Sequence, residues 1–144
     1  MVPDVNVLLA AFRSDHPHHR IARQWLLGQV GAAARGEPLL LLPTVIASFL
    51  RLVTHPRVFP DPAPPDAAVD FVDALLASPG TEIPEGGRDW PELKRLILEH
   101  GLAANDVPDA WIAASVRTLG TRLVTFDSGF TRLLGRSELL LLRG

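Results

Sequence analysis

The chain has 144 residues, of which 47% are hydrophobic and 21% charged, so it can bury a core and is not disordered. With no cysteine it has no disulfide framework and no thiolate metal site. A formal charge of −2 excludes a broadly basic nucleic-acid surface, so any such contact must be local.

Met1 to Leu9 opens with a short strand ending near Asp4, an acid inside an otherwise apolar run. The dipeptide His16-Pro17 marks a turn, and a helix follows to about Gly31 with Ile21, Trp25 and Val30 on its inner face. Leu39 to Leu42 reads as a central strand of a parallel sheet. A helix runs from Val45 to Val53 after the Pro43-Thr44 start. The proline-rich stretch Thr54 to Asp66 reads as a loop within a single domain spanning 1–144. Ala67 to Ala77 is helical, with Val69, Val72 and Leu76 on one face, and Thr81-Glu82-Ile83 forms a short strand. Two further helices follow. Trp90 to His100 turns Leu93, Leu96 and Ile97 inward and stops at Gly101; Asp106 to Leu119 turns Ile112, Val116 and Leu119 inward. Arg122 to Thr125 is a strand leading to Asp127, and Leu139 to Leu142 closes the chain as the last strand.

The longest uncharged apolar run, Leu39 to Leu50, is too short to cross a bilayer. Asp4 stands where a signal peptide would carry basic residues, so the expected location is the cytoplasm, with no membrane partner.

Strands alternating with helices predict an α/β fold with a parallel sheet, and such sheets gather ligands beyond the carboxyl ends of their strands. Asp4 and Asp127 each follow a strand, and Asp109 lies in the first turn of a helix. Each has a plainer reading, as a helix-terminal charge or a turn former. Together at one sheet edge they would repel one another, and a divalent cation resolves that repulsion. An oxygen-only donor set suits Mg²⁺ or Mn²⁺, and a water on that cation can attack a phosphodiester.

The segments Asp4 to Leu9, Pro108 to Ala114 and Gly120 to Phe130 resemble the opening, central-helix and late strand-to-Asp motifs of PIN-domain proteins. Phe49 to Phe59 is similar to a segment of VapC-type toxins of toxin–antitoxin pairs. The resemblance covers nearly the whole chain. It implies a three-layer α/β/α sandwich around a parallel sheet, often dimeric. It also implies an Mg²⁺- or Mn²⁺-dependent endoribonuclease that cleaves RNA and is held inactive by a cognate antitoxin. Asp4, Asp109 and Asp127 take the positions of three of the family's metal-binding acids.

One departure stands out. Many PIN domains carry a Glu three residues before an Arg on the helix after the second strand; here Arg51 is preceded at that spacing by Ser48. A catalytically degenerate PIN domain that only binds its antitoxin therefore stays open beside the nuclease. Asp106, one turn before Asp109, could supply a fourth oxygen, although a helix cap is its plainer role. Asn6 supports the acid or the metal waters in the family, and Thr125 alternates with Asp127 at its strand end.

His16, His18 and His19 read as solvated residues, and Trp25, Trp90 and Trp111 as core or interface residues, with stacking on a base open to Trp111. Phosphorelay receivers are disfavoured because the only lysine, Lys94, lies in a helix. Haloacid-dehalogenase phosphatases are disfavoured because Asn6 stands where their second Asp belongs.

Overall fold

A computed structural model describes residues 1–144. In chain order the elements are β1 (Val2–Pro3), α1 (Val5–Phe12), α2 (His19–Ala33), β2 (Leu39–Leu40), α3 (Pro43–Val53), α4 (Pro65–Leu76), β3 (Thr81–Glu82), α5 (Trp90–His100), α6 (Asp106–Thr118), β4 (Leu123–Thr125), a 3₁₀ turn (Ser128–Arg132) and β5 (Leu139–Leu141). The strand and helix order matches the sequence reading, with one addition: the first strand does end near Asp4, and α1 occupies the apolar run after it, to which the sequence reading gave no element. The signal for that helix was present. Val7, Leu8, Ala10 and Ala11 are buried at helical spacing, and Asp4 caps the helix by accepting from the Val5 N–H at 2.7 Å. Asp4 therefore does not interrupt a strand.

Every strand pair is parallel. β1, β4 and β5 form one sheet in the order β1-β4-β5, and β2 pairs with β3. The two sheets touch through Met1, whose ammonium donates to Pro38 O and whose carbonyl accepts from Leu40 N. The next donor on that side of β1 would be Pro3, which has no N–H, so pairing with β2 lapses there. The resulting strand order across the fold is β3-β2-β1-β4-β5. The chain winds outward from β1 to β3, returns, and continues on the other side with β4. The switch in winding thus lies between β1 and β4, where open α/β sheets place their ligands.

Helices α1 to α4 pack among themselves, as do α5 and α6, and the parallel sheet lies between these two layers. Thirty-two buried apolar residues form one core. Phe49 on α3 is wholly buried, its ring centroid 5.7 Å from Phe12 of α1 and 5.4 Å from Phe71 of α4. These rings join three helices whose contacts span much of the sequence.

Several inner faces differ from the expected ones. In α2 the buried residues are Ala22, Leu26, Gln29 and Ala33; Trp25 and Val30 flank that face. In α4 they are Ala68, Val72 and Leu75, and Val69 is exposed, as is Leu119 after α6. Small residues carry the closest helix contacts, so an apolar pattern weighted toward large side chains misplaced these faces. The prolines 62–65 end in a helix rather than a loop, with Pro65 at its first position, where a missing N–H costs nothing.

A charged network ties the second helix layer to the last strand. Arg117 on α6 donates to both oxygens of Glu138, to Glu92 on α5 and to Leu133 O. Hydrogen bonds from Arg95, then from Arg117, hold the Glu92 carboxyl down at about 2. The pairing of Glu92 stabilises the fold above its unfolded pKa near 4.5, and that contribution disappears as pH falls toward 2. Glu92→Gln should lower stability at neutral pH by about 1–2 kcal/mol and make the variant's acid unfolding shallower between about pH 5 and 2. Urea melts of both proteins at pH 7 and pH 3 would check this: an equal gap between them at the two pH values contradicts the assignment.

Candidate active site

The parallel pairing of β1 with β4 brings together residues about 120 apart in sequence. Asp4 leaves β1 with only 7% of its surface exposed. Its Oδ1 accepts from Val5 N, and its Oδ2 accepts from Thr125 Oγ1 at 2.6 Å and from Asn6 Nδ2 at 3.3 Å. Thr125, fully buried at the end of β4, also receives Asp127 N at 3.0 Å and Asn6 Nδ2 at 3.1 Å. Asn6 Oδ1 accepts from Phe126 N at 3.2 Å. The start of α1 and the end of β4 are thus laced together, and Asp4 is fixed in one orientation.

Asp127 is exposed and caps the 3₁₀ turn by accepting from Gly129 N at 2.8 Å. Asp109 stands half-buried in the first turn of α6, one turn beyond Asp106. Burial raises the Asp109 pKa, and the charges of Asp4 and Asp127 raise it further; Arg132 opposes them. The Asp4 pKa is likewise raised, first by burial, against the bonds from Thr125 and Val5 and with the help of Asp127. The three acids therefore sense one another across the switch between β1 and β4. They do not close on a common point: no three His, Asp or Glu side chains of the chain already stand in position to grip an ion. What fits a cation here is the donor chemistry, namely oxygen ligands alone and two carboxyls whose ionisation their neighbours resist.

Asp106 stands 3.7 Å from Arg132 and belongs to a surface ion pair. Ser48 is half-buried on α3, beside the buried stripe Val45, Phe49 and Val53. The histidines are not simply solvated. His18 stacks on Phe126 with centroids 4.6 Å apart, and the His19 ring bonds Ala10 O. Trp25 packs against the core, whereas Trp90 and Trp111 are 59% and 44% exposed, so neither is a core residue. Sequence reasoning missed Asp89, which stands just before α5 and accepts from Trp111 Nε1 at 2.7 Å and from Ser115 Oγ at 2.6 Å. No local pattern pairs residues 22 and 26 positions apart.

Residues 1–134 match the model of the PIN domain. The chain belongs to the PIN-domain family. This PIN domain is 38% identical over 131 residues to Ribonuclease VapC31 of Mycobacterium tuberculosis, covering 90% of this chain and 89% of that protein. It is equally similar to Ribonuclease VapC25 of the same organism, with the same coverage. The VapC ribonuclease Mb2897 of Mycobacterium bovis is also 38% identical, over 130 residues, with 90% and 86% covered. Among solved structures, VapBC2 from Rickettsia felis bound to a DNA fragment from their promoter superposes with a TM-score of 0.63 at 16% identity. That match covers 98% of this PIN domain and 96% of the other chain, and it shows the shared fold. No helix of this PIN domain is long and apolar enough to cross a membrane.

Proposed function

We propose that this PIN domain is a VapC-type endoribonuclease toxin, dependent on Mg²⁺ or Mn²⁺ and held inactive by a cognate antitoxin in the cytoplasm. What supports the reading is that Asp4, Asp109 and Asp127 lie on the elements around the winding switch of the parallel sheet, close enough for the charges of Asp4 and Asp127 to act on Asp109. The names of the relatives agree with it. A divalent cation held by these acids would supply a nucleophilic water at neutral pH and offset the charge of the scissile phosphate. Asp4 offers that cation a carboxylate already oriented by Thr125 and Val5. Asn6 holds Thr125 in place, and through Asp127 N the same hydroxyl sets the loop that carries the third acid. Asp109 would supply a further carboxylate, whose ionisation burial and the charges of Asp4 and Asp127 oppose. A homodimer belongs to the same reading.

The test is cleavage of bulk RNA across a Mn²⁺ titration, with and without the antitoxin encoded beside the gene. Cleavage that needs the metal and is suppressed by the antitoxin supports the reading; metal-independent cleavage, or none at any metal concentration, overturns it. An antitoxin that blocks the acid pocket should also weaken metal binding, and equal affinity in its presence would exclude direct competition.

Ser48 favours the degenerate reading, because a hydroxyl adds no charge to the site. If α3 turns Ser48 toward the acids, Ser48→Glu should tighten Mn²⁺ binding by about tenfold and raise cleavage at limiting metal. If Ser48 only packs against the sheet, the same change buries an unpaired charge and lowers Tm at constant affinity. Calorimetric titration together with a melting curve separates the two.

A further inference from the structure

A second concavity opens at the carboxyl ends of β2 and β3, the half of the sheet next to the acids. It encloses about 430 Å³, within the range of small-ligand sites. One wall is the indole of Trp111, and the floor is the loop that follows β3, with Gly86, Gly87 and Arg88; the start of α3 adds Thr44. Four features point to one kind of occupant. Trp111 is 44% exposed and lines the cleft, and Asp89 accepts from its Nε1 at 2.7 Å, which restrains the indole and lowers the ordering cost of stacking on it. Arg88 is exposed and enters none of the chain's ion pairs. Gly86 and Gly87 have open space where a side chain would stand, which leaves their backbone groups within reach of a ligand. Glu85 adds a free acceptor at the rim.

The placement relative to the acids is set by the sheet. Counting from the Met1–Leu39 level, Leu42 at the cleft mouth stands level with Asp4, one strand away. Trp111 follows Asp109 by two residues on α6, so the two side chains leave opposite flanks of the same turns. An RNA strand that crosses the start of α6 passes from the flank of Asp109 to the flank of Trp111.

We infer that this cleft is a subsite for an unpaired RNA base on the same strand as the scissile phosphate, with the base stacked on Trp111, its edge met by Glu85 and the loop backbone, and its phosphate met by Arg88. Aromatic stacking of splayed-out bases is the general mode of single-strand RNA recognition. The inference rests on the ribonuclease reading above.

The test separates the ring from its hydrogen bond and binding from cleavage. Trp111→Phe and Trp111→Leu both lose the bond to Asp89, but only the first keeps an aromatic face. With RNA as substrate, Trp111→Leu should raise KM by about tenfold while Trp111→Phe stays within about threefold of the parent. In parallel, the indole N–H resonances of the three tryptophans are followed in Ca²⁺ as a single-stranded hexaribonucleotide or its abasic counterpart is added. The Trp111 signal should move with the first and not with the second. If the protein cleaves RNA but KM is the same in both variants, or if the abasic strand moves the signal equally, the subsite is wrong. A Trp111 signal that changes with protein concentration alone makes this face a contact between two copies and also overturns it. If no RNA is cleaved while the base-bearing strand still moves Trp111, the subsite stands and the nuclease reading falls.

Discussion

Asp109→Asn should reduce metal-dependent RNA cleavage by at least about a hundredfold while leaving the protein folded. The amide keeps the size of the side chain and removes one charge from a cation site that has only three carboxylates to offer. Asp4→Asn and Asp127→Asn should fall as far for the same reason. Folding should not suffer at Asp109, since that carboxyl is disfavoured by burial and by Asp4 and Asp127; losing its charge relieves repulsion, so Tm without metal should hold or rise. Asp4→Asn differs. Its oxygen can still cap α1, but its second position must now share hydrogen with Thr125 and Asn6, both of which donate to Oδ2. Asp4→Ala would in addition lose the cap, at about 1 kcal/mol. Rates measured at saturating Mn²⁺ with circular dichroism on the same samples decide the matter: full activity in Asp109→Asn means the acids are misassigned.

Phe49→Ala should be the most damaging single change to stability, at about 3–5 kcal/mol. The ring has no exposed surface and packs edge-on against Phe12 and obliquely against Phe71, so its removal leaves a cavity walled by α1, α3 and α4. Closing that space would require α1, α3 and α4 to shift toward one another at the end of α1 that carries Phe12. At roughly 3 °C per kcal/mol for a chain of this size, Tm should fall by about 10–15 °C. Phe49→Leu should recover more than half of the loss. A scanning-calorimetry shift below about 3 °C for the alanine variant would mean that the three-helix junction repacks freely.

The fold class was readable because apolar runs of two kinds alternate along the chain, and most helices carry start and stop residues such as Pro43, Pro65 and Gly101. The places of Asp4 and Asp127 just beyond β1 and β4, and of Asp109 in the first turn of α6, were readable because each adjoins an element that the sequence marks. What escaped reading depends on distance in the sequence or on small side chains. Val5 to Phe12 has the β-branched and apolar composition of a strand, and its helical face depends on the small residues Ala10 and Ala11. The hold of Thr125 on Asp4 spans 121 positions, the grip of Asp89 on Trp111 spans 22, and the stack of His18 on Phe126 joins two distant loops. None has a local signature.

Gly80 precedes β3 with a φ of +79°, and a Cβ built on it would lie 2.2 Å from the carbonyl oxygen of Ala33 at the end of α2. The main chain of one helix therefore sits directly on the turn that feeds the outermost strand, with no side chain between them to yield. Any residue larger than glycine at position 80 would have to push the last turn of α2 and the start of β3 apart, so this one position fixes how closely the helix is seated on the edge of the sheet.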